Sequence, residues 1–481
     1  MKKEEKKDVG ITVDKDEFSE WFTQLMLKAD LADYTEVSGC MVFKPNAYVL
    51  WEKVISECDK KFKKLGVKNA YFPLFIPEKF LNKEKEHVKG FSPEVAWVTH
   101  AGDTKLTEKL AVRPTSETIM YPSYSKWIRS WRDLPLKINQ WNNVVRWEFS
   151  HPVPFFRTRE FLWNELHTVL ASEREALEEG KDILNAYKEF CEESMALYGL
   201  AGKKTEREKF AGGVASTKLH YIIPNGRVIE GPCFHYDGQN FAKAYDIKFL
   251  DKEGKEQYGY QNTYAISTRM LGTMFAIHSD EKGLILPPNM ASNKIVIIPI
   301  LFDDTKEKVL NESEKILKEI QEFDAFIDSR DNYKAGFKFN EWELKGIPIR
   351  IEIGPKDIEK KEVVIARRDT NEKKTIKISE IKKEVKKLLE DIQKNMFAKS
   401  KTLFESKIEK ASSLEEIKKI IENKKVGIIP LCKDEKCEEI LKSETGGAKA
   451  VFIAENLKVK TEKCVICKKK ADYFVYCGKT Y

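Results

Sequence analysis

No run of apolar residues in this 481-residue sequence approaches the roughly eighteen needed to cross a bilayer, and no short apolar stretch behind a basic start marks a secretory leader. A soluble, cytoplasmic chain with no membrane partner is expected. Charge of one sign is not in excess either. Lys and Arg number 84 against 77 Asp and Glu, and the balance of +7 is too small at this length to announce a polyanion partner through the bulk field; DNA is not expected. A disulfide framework is also missing. Of nine cysteines, Cys40, Cys58, Cys191 and Cys233 are scattered singly, as buried small hydrophobes are in a reducing compartment. The other five, Cys432, Cys437, Cys464, Cys467 and Cys477, crowd the end. What is present is 42% hydrophobic and 33% charged residues, enough to bury a sizeable core, in a length that suggests about three domains.

The most informative stretch is 144–167: V-V-R-W-E-F, then S-H-P-V-P-F-F, then R-T-R-E-F-L-W-N-E-L-H. Strand alternation places Val144, Arg146 and Glu148 on one face and Val145, Trp147 and Phe149 on the other. Pro152 and Pro154 interrupt the run, so an antiparallel hairpin with an irregular loop is expected, with Arg157, Thr158 and Arg159 leaving it. Arginine grips phosphate oxygens in pairs, and a carboxylate two residues away accepts from an exocyclic amine, so the hairpin suits a polyanion bearing a base. An isolated R-x-E is more often a plain surface pair.

Around it, Asp14-x-x-Glu17 has the form of a capping box ahead of an amphipathic helix, and a second helix is expected from about Asn46 to Leu65, followed by a strand broken at Pro73. L-A-V-R-P-T-S-E at 110–117 opens another helix. Ser172-x-x-Glu175 caps a long one expected to run to Gly199. A P-N-G-R turn precedes V-I-E-G-P-C-F-H-Y-D-G-Q-N-F. Residues 261–278 then read as a strand entering a helix whose first turn holds Arg269. A cation there opposes the helix dipole unless an anion is bound, and Gly272 and Thr273 leave space beside that anion. The paired prolines of L-I-L-P-P-N mark a boundary, after which continuous apolar strands alternate with amphipathic helices, the pattern of a mixed sheet covered on both faces. Lysine-rich 377–394 reads as an amphipathic helix that serves as a linker. Ser413-x-x-Glu416 opens a short helix in the last domain, where Cys432-x4-Cys437 and Cys464-x2-Cys467 form two chelating pairs with the spacing of a closed structural zinc site.

In this company R-W-E followed by P-F-F-R-T-R-E-F-L-W-N-E-L-H resembles motif 2 of class II aminoacyl-tRNA synthetases, worded as in prolyl-tRNA synthetases of the archaeal and eukaryotic type. Residues 46–77 resemble motif 1 and 261–278 motif 3. The resemblance implies an α/β (α+β) chain: an antiparallel-sheet catalytic domain at 1–288, a mixed α/β anticodon-binding domain at 289–396 and a small C-terminal zinc-binding α/β domain at 397–481. It implies ATP-dependent activation of proline to prolyl-adenylate and transfer to tRNA(Pro) by a homodimer. Proline would meet Thr115, Glu117, Arg146 and His235. ATP with Mg²⁺ would meet Arg146, Glu148, Arg157, Thr158, Glu230, Cys233, Ser267 and Arg269, with Arg146 and Arg269 carrying the chemistry and Glu230 available to the Mg²⁺ as a hard oxygen ligand. Arg350, Lys356, Arg367 and Arg368 would meet tRNA, and Cys432, Cys437, Cys464 and Cys467 would hold Zn²⁺. Two positions depart from the family pattern: Glu230 stands where a glutamine is usual and Cys233 where a threonine is. Cys233 raises the alternative of relaxed specificity that admits cysteine. The other alternative, an inactive RNA-binding regulator, fits poorly with three retained motif arginines. The segment between His167 and Gln261 is too short for an inserted editing domain.

Overall fold

The computed structural model describes residues 10–87, 94–148 and 152–481; the expectation for Phe149 lies outside them. The catalytic domain is built on a seven-stranded sheet with the spatial order Lys68–Asn69, Leu136–Val145, Glu160–Leu170, Tyr260–Ala265, Val228–Gly238, Ala215–Ile222, Leu200–Lys203. Every pairing is antiparallel except that of the short first strand. The hairpin read from the sequence is its centre, in register from Leu136↔Val169 to Val145↔Glu160.

The two faces of this sheet differ. Asn164, Leu166 and Thr168 face the helix Glu173–Glu193: Asn164 Nδ2 lies 2.9 Å from Tyr187 Oη, and Thr168 Oγ1 donates to Glu179 at 2.6 Å. Trp141 on the same side packs against Trp51 and Phe62 of the helix Pro45–Lys64. Trp163, Glu165 and His167, one residue out of phase, line a cavity on the other face. One face is therefore core and the other is free for chemistry.

Four sequence expectations need correction. The strand of the hairpin stops at Val145, and only the Arg146 N–H continues the ladder, to Arg159 O at 2.8 Å; Trp147 N turns away to Glu94 O. Asp14 does not cap the first helix, Phe18–Lys28, because its carboxylate accepts from Asp16 N instead. The Ser172–Glu175 capping box forms in both directions, but its helix ends at Glu193, where the chain turns through the left-handed Ala196. Lastly, 377–394 is helical from Ile381 as expected, but it is not a linker. The helix Ile381–Ser406 runs through the expected boundary at 396, since Val385, Leu389, Ile392, Met396, Ser400 and Phe404 keep one continuous buried stripe.

The middle domain has the mixed sheet that was expected, ordered Ala325–Ile327, Ile295–Pro299, Ile349–Ile353, Glu362–Arg367, Lys373–Lys377, with the first three strands parallel and the last two antiparallel. The last domain's four strands run Ile408–Lys410, Val426–Leu431, Tyr473–Gly478, Lys449–Ile453. Its Val426, Val451, Phe452 and Tyr476 share one hydrophobic core with Ile222 and Val228 of the catalytic sheet. Among the described residues no helix is long and apolar enough to cross a membrane.

Candidate active site

A cavity of about 320 Å³ opens on the free face of the catalytic sheet. Of the expected site residues, Thr115, Glu117, Arg146, Glu230, Cys233, His235, Ser267 and Arg269 all line it, although they come from four segments. Glu148 and Arg157 are exposed and lie outside its lining. Thr158 is buried outside that lining, with its hydroxyl donated to Glu160 O at 2.7 Å, where it holds the backbone of the hairpin.

One end of the cavity is acidic. Ser116 stands at the N-cap position of the helix Glu117–Trp127 without a side-chain cap bond, and Thr115 and Glu117 beside it reach the wall, with the Thr115 hydroxyl donating to the Glu117 carboxylate. Glu165, which the sequence reading did not single out, is the hub here. It accepts from Ser116 N at 2.8 Å, Asn142 Nδ2 at 2.8 Å, Gln140 Nε2 at 3.1 Å, Thr115 Oγ1 at 3.2 Å and the Ser116 hydroxyl. With Glu117 it gathers carboxylate acceptors at that end of the cavity, an arrangement suited to an ammonium. His235 forms the adjoining wall, its Nδ1 at 2.7 Å from Ser216 Oγ and its ring against Phe210. Burial, reinforced by the charge of Lys218, holds it well below the ordinary histidine range, so it is neutral. Deeper on the same strand, Asp237 is fully buried, its carboxyl oxygens without a hydrogen-bond partner among the described residues, and burial together with Glu117 raises its carboxyl well above the usual range.

The other end is cationic. Arg146 donates Nε to Pro114 O at 3.0 Å, and its guanidinium lies 5.2 Å and 5.6 Å from the ring centres of Trp163 and Phe161. Those contacts fix a planar cation whose remaining donors can meet an anion. Arg269 opens the helix Arg269–His278, its Nε on Phe156 O at 3.0 Å and its Nη1 on Glu230 O at 3.3 Å. Burial, with the charges of Arg146 and Arg157 nearby, lowers its pKa, yet a guanidinium stays protonated. Gly272 does not leave the space that was expected of it: a Cβ there would stand 2.6 Å from the Cβ of Phe155, which fills the place. Thr273 donates its hydroxyl to Arg269 O.

Glu230 is not disposed as a metal ligand. Lys204 Nζ lies 2.6 Å from its Oε1, Lys218 Nζ 2.8 Å from its Oε2, and Lys449 Nζ 3.7 Å from Oε1. Burial alone would raise its pKa; Lys218, Lys204 and Lys449 reverse that and hold it well below the usual range. A dication would have to displace ammonium groups already in place. Three of the four expected tRNA contacts are likewise engaged internally. Arg350 is buried on Glu352 and Glu343, Arg367 pairs with Asp369, and buried Arg368 pairs with Asp280. Lys356 is exposed.

The four C-terminal sulfurs of Cys432, Cys437, Cys464 and Cys467 lie within 4.8 Å of one another, with Cys432 and Cys467 3.7 Å apart. Tetrahedral Zn–S bonds of about 2.3 Å put sulfurs about 3.8 Å apart, so the donor set fits zinc. Cys477 is buried elsewhere in the core of the domain.

The chain matches three family descriptions in order: the tRNA synthetase class II core domain (G, H, P, S and T) over residues 97–278, an anticodon binding domain over 294–388, and the prolyl-tRNA synthetase C-terminal domain over 414–481. It is 46% identical to a proline–tRNA ligase of Natranaerobius thermophilus over 90% of both chains, and 44% identical to proline–tRNA ligase 2 of Bacillus thuringiensis over 98% of both. A crystal structure of prolyl-tRNA synthetase from Cryptosporidium parvum, complexed with halofuginone and AMPPNP, superposes with a TM-score of 0.94 at 43% identity, covering 98% of this chain and 100% of that one. Similarity of this extent, spanning catalytic core, anticodon domain and C-terminal domain alike, shows that the chain belongs to the proline–tRNA ligases, a family of class II aminoacyl-tRNA synthetases.

Proposed function

We propose that this enzyme activates proline with ATP and transfers it to tRNA(Pro). The observation that carries the reading is the polarity of a single cavity, with Glu117 and Glu165 at one end and Arg146 and Arg269 at the other. That is the complement of an amino acid whose carboxylate meets a nucleotide. Proline's secondary ammonium lies against Thr115 and Glu117, with neutral His235 beside the ring, while its carboxylate attacks the α-phosphate of ATP. A C–O–P bond forms, the bond from the α-phosphorus to the bridging oxygen breaks, and pyrophosphate leaves. Arg146 stabilises the charge that builds on the α-phosphate, and Arg269 holds the outer phosphates. The terminal ribose hydroxyl of the tRNA then attacks the acyl carbon, and AMP departs. No side chain forms a bond to substrate; the rate comes from positioning and preset charge. Mg²⁺ accompanies the triphosphate and offsets its charge.

Three further features belong to this reading. Cys432, Cys437, Cys464 and Cys467 hold a structural zinc ion, closed to catalysis by four thiolates. A homodimer forms through the region of motif 1, where Tyr71 and Phe75 leave aromatic surface exposed. The middle domain takes the anticodon stem, with Lys356 as its contact.

Amino-acid-dependent exchange of pyrophosphate into ATP, measured across the twenty amino acids without tRNA, tests the core of this. Proline should drive exchange, and Arg146→Ala should lower it by at least about a hundredfold. Exchange driven equally by cysteine would favour a relaxed pocket around Cys233; no exchange with any amino acid would sink the reading.

A further inference from the structure

Glu230 is surrounded by three lysines from two domains. Lys204 and Lys218 come from the catalytic domain and Lys449 from the last one. Their surroundings differ. The Lys204 side chain is 1% exposed and bound to Glu230 Oε1. Lys449 makes its close contact with Glu208 Oε2, at 2.5 Å, and only a loose one with Glu230. Lys218 is the member that lines the cavity; it sits across from Cys233 in the strand register and is bound to Glu230 Oε2.

With Glu208 included, the cluster carries three positive charges and two negative ones, and the positive surplus adjoins more of the same sign. The backbone carbonyl of Glu230 accepts from Arg269 Nη1, which places Lys218 and Arg269 on two sides of one residue. Arg146 acts electrostatically on Cys233 together with Lys218. Lys204 feels the crowding: burial brings it down to about 8, with Lys218 and Lys449 opposing the pull of Glu230. A partly buried wall with surplus cations is stable when an anion completes it.

We infer that Lys218 is a further nucleotide-binding residue, its ammonium meeting phosphate oxygens of ATP, with Glu230 as the counter-ion that aims it and not a metal ligand. The inference rests on the adenylating function proposed above. Lys218 is the only one of the three lysines that lines the cavity, and it enters from the wall opposite the hairpin that bears Arg146. The nucleotide's phosphates are thereby held from both sides. Glu230 keeps the ammonium in place before ATP arrives, so little side-chain freedom is lost on binding.

The test is direct binding of AMPPNP and of adenosine to the full-length chain, alongside steady-state pyrophosphate exchange. Lys218→Met should weaken AMPPNP by about tenfold or more while leaving adenosine within about twofold, because only the former carries phosphates. In exchange, the KM for ATP should rise with that for proline unchanged, and Lys218→Arg should recover most of the loss. Lys218→Gln keeps a hydrogen bond to Glu230 without the charge and serves if the methionine variant folds poorly. Equal weakening of AMPPNP and adenosine, a loss confined to the proline KM, or no change in AMPPNP binding in a folded variant would each overturn the assignment. A wild-type chain that binds AMPPNP but exchanges with no amino acid would instead defeat the adenylation reading and leave this one readable from binding alone.

Discussion

Single residues in this chain are forced into charge states that carry consequences for stability. His278, at the end of the Arg269 helix, is buried against Met195 O, with Nε2 at 2.9 Å. Burial brings its pKa from 6.5 down to about 4, against the smaller raising effect of that carbonyl. A histidine depressed in the folded state is neutral there and picks up its proton preferentially when unfolded. Its contribution is therefore complete above pH 6.5 and is lost as pH falls toward 4. Between pH 7 and pH 5 the loss amounts to about 2 kcal/mol. His278→Gln keeps a donor for Met195 O but cannot titrate, so urea unfolding at the two pH values should show a pH dependence shallower than wild type by that amount. An unchanged pH dependence would mean His278 is already charged in the folded state. Glu165 and Asp237 show why such residues escape a sequence reading. Nothing in N-E-L-H marks Glu165 as the acceptor of five donors, all of which come from the 115–116 and 140–142 segments. The only available signal was strand parity: Trp163, Glu165 and His167 share a face, and that face is the free one.

At the scale of elements, legibility follows how local the determinant is. The Ser172 capping box, the strand that enters the Arg269 helix and the alternation of the middle domain are written in neighbouring residues, and the structure has them. The end of the hairpin strand at Val145 and the length of the Ile381–Ser406 helix depend on partners far away in sequence. The helix keeps its register past residue 396 because Phe404 packs beside Val426 and Phe452, residues that a linker reading cannot foresee. One approach between elements makes a sharp demand. The helix Glu173–Glu193 crosses the strand Val228–Gly238 at Gly180, where a Cβ would lie 2.1 Å from the ring of Phe234. Helix propensity alone would favour Gly180→Ala by up to about 1 kcal/mol. Overpacking should win and destabilise the protein by about 1–3 kcal/mol, read as a fall in the denaturant midpoint. A gain in stability would mean that helix and strand separate freely, which the packing of Tyr264 on Phe234 opposes.

Over the whole molecule, the last domain is fastened to the catalytic domain at the wall of the active site. Phe452 stacks on His220 at 4.1 Å and occupies the space left by Gly202. Lys449 reaches Glu208, and Thr205 donates to Glu438, which follows Cys437 of the four-cysteine cluster on the helix Glu435–Glu444. Tyr481 lies parallel to Phe156 at 4.8 Å, and the carbonyl of Phe156 holds Arg269. If the four-cysteine cluster holds the proposed zinc ion, that ion stabilises a domain packed on the cationic end of the cavity, and it should matter even to the step that needs no tRNA. After zinc content per chain has been measured, removal by a chelator should reduce proline-dependent pyrophosphate exchange by about tenfold or more, with zinc restoring it. Deleting Tyr481 should act in the same direction more weakly, because it removes the ring that stacks on Phe156 while leaving the rest of the domain contact in place. If metal-free protein exchanged pyrophosphate at the full rate and failed only in charging tRNA, the domain would be an RNA-side element, and its contacts with Thr205, Glu208 and Phe156 would serve packing alone.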